Sequence, residues 1–349
     1  MSYRETTRRG FLAISGSAVG GSLAGPAVSV PAGEPQPADA QRKQDPRPVV
    51  IGLVQMRCDG DRRENLDKAI QRIACARSKG ARIVVLPELF CTEYFCRTGG
   101  KLGSPEAKAA EGAIADAKAR FAISLHGEQM EKLKAAAREN EVVLVCGSVF
   151  ERTCDKYFNT SVVFGPKGER IGHYRKTHIP HDLGFWEQHY FSRGDTGIKV
   201  FDTPFGRLAV QICYDQWFPE AARLAALQEA EIIVYPTAIG DVDDIKGDDE
   251  GNWREMWTSA KVGHAVCNNV FVAAVNRVGR EGPTTFWGGS FVADPCGRVL
   301  KQAGVAEEVV VVRCDLSRVR KMREAWRFLK ERRPDVYPEL TRPVPKPGP

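Results

Sequence analysis

The sequence predicts an α/β domain with sheets covered by helices. Apolar runs of strand length alternate with amphipathic helical stretches in the first half, and strand pairs interleave with helices in the second. The 349 residues are 43% hydrophobic and 27% charged, which suits one large domain with ample core.

Taken in order, residues 1–45 stand outside that domain. Thr7-Arg8-Arg9-Gly10-Phe11-Leu12 precedes a soft apolar run over 11–30, and Pro-rich polar sequence follows over 31–48. The pattern resembles a bacterial twin-arginine signal peptide and linker, with export to the periplasm as the expectation and a domain over 46–349. The run is too rich in Gly to form a stable membrane span. A strand is expected over 49–56. A helix follows over 62–78, with Leu66, Ile70 and Ile73 on one face and Gly80 behind its end. A strand over 83–86 runs into Pro87-Glu88. Residues 101–140 are rich in Ala, Lys and Glu and read as helical. Strands are expected over 142–150, 159–164 and 171–174, then as a pair over 199–201 and 208–212. A helix over 220–228 leads to a strand over 232–235. An acidic loop over 241–250, a helix over 253–267, strands over 270–275, 289–292 and 309–314, and a helix over 316–329 complete the chain. The turns at 165–168 and 294–297 look alike and hint at two similar halves.

Composition narrows the function. A net charge of +6 is mild for this length and the basic residues are scattered, with no nucleic-acid signature. The ten cysteines are dispersed, many within apolar runs, so they read as small buried hydrophobes rather than a disulfide framework. His173, His178, His181 and His189 lack a zinc spacing, and Ile245 breaks a calcium-loop pattern in 241–250, so no metal is expected.

Three reactive groups each follow a buried run: Glu88 in LPELF, Lys176 in YRKTHIP, and Cys213 in ICYDQWFPEAAR. Cys213 falls where a strand bends toward a helix opening near Pro219, a place where ligands collect and N–H groups meet developing negative charge. A thiol needs a base to become a nucleophile, a carboxylate can be that base, and an ammonium can hold an oxyanion.

These motifs resemble the nitrilase (carbon–nitrogen hydrolase) superfamily over about residues 50–340. The resemblance implies a four-layer α-β-β-α sandwich, no cofactor, and homo-oligomers of two or more chains. It implies catalytic Glu88, Lys176 and Cys213, and a further glutamate, Glu187 in GFWEQHYFSRGDTG, that positions the lysine and substrate. Tyr214 and Asp215 are expected on the substrate and oxyanion side. ELFCTEYFC, DQWFPEAAR, YPTAIG and ERRPDVYPEL resemble the branch acting on N-carbamoylputrescine, a small carbamoyl amine, which implies putrescine, carbon dioxide and ammonia as products. Tyr214 stands where that branch has Trp, and HDLGFWE replaces its Gly-rich segment. The alternatives are a β-ureidopropionase or ω-amidase acting on a carboxylate-bearing substrate, with Arg277 or Arg254 to bind it, or an exported binding protein without turnover. The six acids of 241–250 further suggest a rim that attracts a cationic substrate tail, aided by Glu187 or Asp215.

Overall fold

The computed structural model describes residues 45–243 and 251–343. The chain begins with β1 (Pro48–Gln55), α1 (Arg62–Ser78) and β2 (Ile83–Val85), followed by α2 (Pro105–Ala109), α3 (Glu111–Phe121) and α4 (Glu128–Glu139). Then come β3 (Val143–Val145), β4 (Val149–Arg152), β5 (Tyr157–Phe164), β6 (Arg170–Arg175), β7 (Val200–Thr203), β8 (Gly206–Val210) and α5 (Pro219–Leu227). The last part runs β9 (Ile232–Thr237), β10 (Gly240–Val242), α6 (Trp253–Asn268), β11 (Phe271–Asn276), β12 (Val278–Glu281), β13 (Thr284–Trp287), β14 (Phe291–Ala293), β15 (Val299–Gln302), β16 (Glu308–Asp315) and α7 (Ser317–Ala325).

Two mixed sheets carry the fold. One has the order β16-β1-β2-β3-β5-β4, with β6 paired to β5; the other has the order β15-β14-β11-β9-β8-β7. Each has three parallel central strands, β1-β2-β3 and β11-β9-β8, flanked by antiparallel neighbours. The likeness of the two turns in the sequence thus has a counterpart in two sheets of like plan.

Strand alternation sets the layers. Ile83 and Val85 face a core between the sheets, with Val143, Val145, Leu208, Val210, Ile232 and Val234. Val84, Leu86 and Leu144 face outward, onto Leu66 and Ile73 of α1 and Leu133 of α4. On the far side Ile233, Tyr235 and Val272 pack on Ala222 and Ala225 of α5 and Trp257 of α6. The order helix, sheet, sheet, helix is the four-layer sandwich. A one-residue slip would exchange the faces of any strand, and each buried aliphatic side chain contributes about 1.5–3 kcal/mol, so the register is strongly fixed. At Gly52 a Cβ would lie 3.0 Å from the Cβ atoms of Ala76 in α1 and of Ala81 just before β2, which is how closely α1 and the turn after it seat on β1.

Several elements differ from expectation. The run over 142–150 is two strands, broken at Gly147, whose φ of 51° favours glycine. The helical stretch over 101–140 is three helices. The final helix stops at Ala325 instead of reaching residue 329. A three-stranded sheet, β10-β13-β12, was not expected at all. Among the described residues, no helix is long and apolar enough to cross a membrane.

Candidate active site

Glu88 follows β2 and Pro87, Lys176 follows β6 directly, and Cys213 opens a 3-10 turn, Cys213–Trp217, just after β8. β5 fixes two of them. The backbone N–H of Lys176 donates to the Asn159 carbonyl at 2.9 Å, and Asn159 Nδ2 donates to Glu88 Oε1 at 2.8 Å. Asn159 points a polar side chain into the sheet interior and spends it on the glutamate. The residue after Glu88, Leu89, has a φ of 48°, so the strand exit is sharply turned.

Lys176 binds two carboxylates. Its Nζ donates to Glu88 Oε1 at 2.8 Å and to Glu187 Oε1 and Oε2 at 2.8 and 2.7 Å, with all three side chains shut off from solvent. Tyr94 OH donates to Glu187 Oε1 at 2.8 Å. Glu88 Oε2 is buried and has no partner among the described residues. One face of the glutamate is therefore held by donors while the other is open.

Burial alone would push the Lys176 ammonium down, but Glu187 and Glu88 outweigh it and hold the group well above its ordinary range. Burial lifts the Glu187 carboxyl from 4.5 to about 7; Lys176 draws it down and Glu88 raises it further. Burial pushes the Cys213 thiol well above its usual range and the Glu88 charge adds to this, against the pull of Lys176. The resting group is a thiol, and reaction at sulfur requires a base beside it.

Cys213 has a φ of 41°, and its Sγ lies 3.9 Å from the Ala238 carbonyl oxygen. The turn that imposes this conformation is tied down by Asp215. The Asp215 carboxylate accepts from Ile212 N at 2.9 Å, His178 N at 3.0 Å and Tyr174 OH at 2.7 Å, and meets His178 Nδ1 at 2.7 Å. Asp215, expected on the substrate side, is instead fully buried and occupied as a brace of the turn. The helix expected to open near Pro219 does so, as α5, and the 3-10 turn Cys213–Trp217 lies between it and β8.

The model of the carbon–nitrogen hydrolase family matches residues 50–324. The chain belongs to the carbon–nitrogen hydrolases of the nitrilase superfamily. This hydrolase is 38% identical over 303 residues to N-carbamoylputrescine amidase of Arabidopsis thaliana, covering 84% of this chain and 95% of that protein. It is 33% identical to citrullinase of Francisella tularensis, covering 84% of this chain and 98% of that protein. The crystal structure of a carbon–nitrogen hydrolase from Helicobacter pylori G27 superposes with a TM-score of 0.73 at 34% identity, covering 84% of this chain and 99% of that one.

In this hydrolase Cys213 lies at a pocket of about 230 Å³ walled by Phe185, Trp217 and Ile239, with Asp182, Leu183, Tyr214, Trp253 and Met256 also lining it. Phe185 and Leu183 come from the HDLGFWE segment, which a row of bonds fastens. Trp186 N donates to Cys96 O at 2.8 Å, Tyr190 OH to Thr98 O at 2.8 Å, His189 Nε2 to Gly100 O at 2.7 Å, and Leu102 N to His181 Nε2 at 3.2 Å. Asp182 is the only ionised side chain among the described lining residues. Of the acidic loop, Asp243 faces Arg280, and residues 244–250 lie outside the described residues. Arg277 is buried and does not line the pocket; its Nη2 donates to Thr92 O and Glu281 Oε1 at 2.8 and 2.7 Å, and its Nε and Nη1 have no partner among the described residues. Tyr214 and the HDLGFWE segment line the pocket as expected, whereas sequence reasoning missed Asn159, Tyr94 and the walls from Trp217 and Trp253. An Asn inside an apolar strand run was a usable signal; the walls come from separate segments and carried none.

Proposed function

We propose that this hydrolase cleaves a small N-carbamoyl amine, converting N-carbamoylputrescine and water to putrescine, carbon dioxide and ammonia. The observation that carries this reading is the pocket: one acid, Asp182, aromatic walls, and no cationic side chain among the described lining residues. Such a pocket suits a substrate with an apolar spacer and a cationic end. Among the described lining residues a carboxylate-bearing substrate finds no cationic partner, and Arg277 is not one of them. The relatives named N-carbamoylputrescine amidase support the same choice.

In this mechanism Cys213 Sγ attacks the carbamoyl carbon while Glu88, through its open Oε2, takes the thiol proton. Lys176 and the Tyr214 N–H, in the first turn of the 3-10 segment, stabilise the tetrahedral oxyanion. Glu88 returns its proton to the departing ammonia and leaves a thioester at Cys213. Glu88 then activates water, which releases a carbamic acid that loses carbon dioxide to give the amine. Glu187 holds Lys176 in place throughout. The test is ammonia release by wild type and Cys213→Ala. The reading expects loss of at least about 10³-fold in the variant, and N-carbamoylputrescine preferred over N-carbamoyl-β-alanine. Near wild-type release by the variant overturns the mechanism; preference for N-carbamoyl-β-alanine overturns the substrate.

Residues 1–45 fit an export signal and linker ahead of a domain over 46–349. Replacing Arg8 and Arg9 by Lys should leave precursor in the cytoplasm, and unchanged periplasmic protein refutes the twin-arginine route. Exposed Leu224 and Leu227 on α5, with Trp326 and Phe328 beyond α7, support a homo-oligomer, which sedimentation would test.

A further inference from the structure

Tyr94 is fully buried, six residues after Glu88 in ELFCTEYFC and just ahead of a short 3-10 turn, Phe95–Arg97. Its hydroxyl donates to Glu187 Oε1 at 2.8 Å, the same oxygen that accepts from Lys176 Nζ at 2.8 Å. Burial, and after it the Glu187 charge, holds the phenol well above its ordinary range, so it acts there as a donor and keeps its proton.

The rest of the residue is fixed from another direction. Tyr94 N donates to Glu281 Oε2 at 2.6 Å, and Glu281 Oε1 accepts from Arg277 Nη2 at 2.7 Å. The ring meets Phe185 and Phe286 edge-on, with centroids 5.8 and 5.7 Å apart. Glu281 lies on β12 and Phe286 on β13, so the small sheet β10-β13-β12 is what holds the phenol against Glu187. The backbone and the ring suffice for packing. The hydroxyl adds nothing to that frame and gives its bond to the site.

Charge shows what the bond does. The groups that face Glu187 are Lys176 after β6, Glu88 after β2, Tyr94 and Cys96 at the 3-10 turn, and Cys213 after β8. Burial and the Glu88 charge oppose ionisation of Glu187, while Lys176 and Tyr94 favour it. Resting on the reading of Cys213, Glu88 and Lys176 as the reacting groups, we propose that Tyr94 is a positioning residue of the reaction, which keeps the Glu187 carboxylate ionised and both of its oxygens on Lys176. Burial lifts the Glu187 carboxyl to about 7, so a lost donor is felt in the neutral range. A donor to the charged form lowers the proton affinity of a carboxylate, and its removal raises it. Without the hydroxyl Glu187 takes its proton at higher pH, and Lys176 is left with Glu88 as its anionic partner.

The experiment is the pH–rate profile of ammonia release by the full chain, wild type against Tyr94→Phe. The variant keeps the ring and drops only the hydroxyl. Its acid limb should lie about one pH unit above that of the wild type, the scale of a hydrogen bond to a charged group. Its rate deficit should therefore narrow about fivefold from about pH 7 to about pH 9, with KM little changed. A deficit that is equal at every pH is what a merely structural loss produces, and it overturns the proposal. Should Tyr94→Phe lack a cooperative melt, the limb is read on Tyr94→Met, whose flexible side chain fills part of the space without a hydroxyl donor. There a raised limb supports the proposal and the wild-type limb overturns it. The parent reading fails separately: ammonia release by Cys213→Ala refutes the nucleophile itself. An inactive Cys213→Ala, with an acid limb that Glu187→Gln removes and Tyr94→Phe leaves in place, refutes only the role of Tyr94.

Discussion

Lys176 donates to both carboxylate oxygens of Glu187, at 2.8 and 2.7 Å, in a cluster closed to solvent. Burial first, and Glu88 after it, hold the Glu187 carboxyl near 7, so its charge is partial in the neutral range. As pH falls through about 7, Glu187 takes a proton and Lys176 loses one of its two anionic partners. The rate of ammonia release should decline on that acid side. Glu187→Gln should flatten this limb and lower kcat by about 10²-fold, because the oxyanion-side ammonium is no longer aimed. A pH–rate profile of both proteins checks it; an unchanged acid limb in the variant refutes the assignment to Glu187.

Gly147 lies against the strand exit that presents Glu88. A Cβ at Gly147 would stand 2.0 Å from the Pro87 carbonyl oxygen, and its φ of 51° already disfavours a side chain. Gly147→Ala should cost about 2–3 kcal/mol in urea unfolding, and more in rate than its stability loss explains, since displacement of about 1 Å at Glu88 costs about 10²-fold.

How much of this was legible follows from what a linear pattern can encode. β2, β3, β8, β9 and β11 were readable because both of their faces are buried, which makes short continuous apolar runs. Glu88, Lys176, Glu187 and Cys213 were nameable because each sits in a long motif. The break at Gly147 was not legible, since its cause is Pro87, a neighbour in space only. β12 and β13 are short, with polar Arg280, Glu281, Thr284 and Thr285, and leave no apolar run. The brace role of Asp215 depends on Tyr174 and His178 arriving from another sheet, so the sequence left it as one more acid beside the nucleophile.

That brace makes its own prediction. The Asp215 carboxylate gathers four contacts inside the protein, and its loss strands the Ile212 and His178 N–H groups and the Tyr174 hydroxyl. Asp215→Ala should lower stability by about 3–5 kcal/mol, measured by urea denaturation. In any folded fraction kcat should fall with KM little changed, because the turn at Cys213 loses what imposes its φ of 41°. A loss below about 1 kcal/mol would show that the brace carries little.

On the proposed reading Asp182 is the residue that meets the cationic tail of the substrate. It is exposed beside the pocket, its Oδ1 accepts Leu183 N at 2.9 Å, and no other described lining residue is ionised. The aromatic faces of Trp217 and Trp253 attract a cation within about 6 Å and are worth about 0.5–1 kcal/mol where water has access, too little to hold an ammonium alone. A carboxylate at the rim supplies the rest, in a setting where salt screens it within about 10 Å. Asp182→Asn should therefore raise KM for N-carbamoylputrescine about fivefold, leave kcat within about twofold, and flatten the salt dependence of kcat/KM. Neutral N-carbamoylbutylamine serves as the control, because it fills the same apolar walls and carries no charge. Its kcat/KM should be lower than that of N-carbamoylputrescine in the wild type and indifferent to Asp182→Asn. The competing source of recognition is the acidic loop. If replacing Asp243, Asp244, Asp248 and Asp249 together by Asn raises KM while Asp182→Asn does not, the anchor belongs to residues 241–250. Equal hydrolysis of the charged and neutral substrates by the wild type removes the cationic tail from the account altogether.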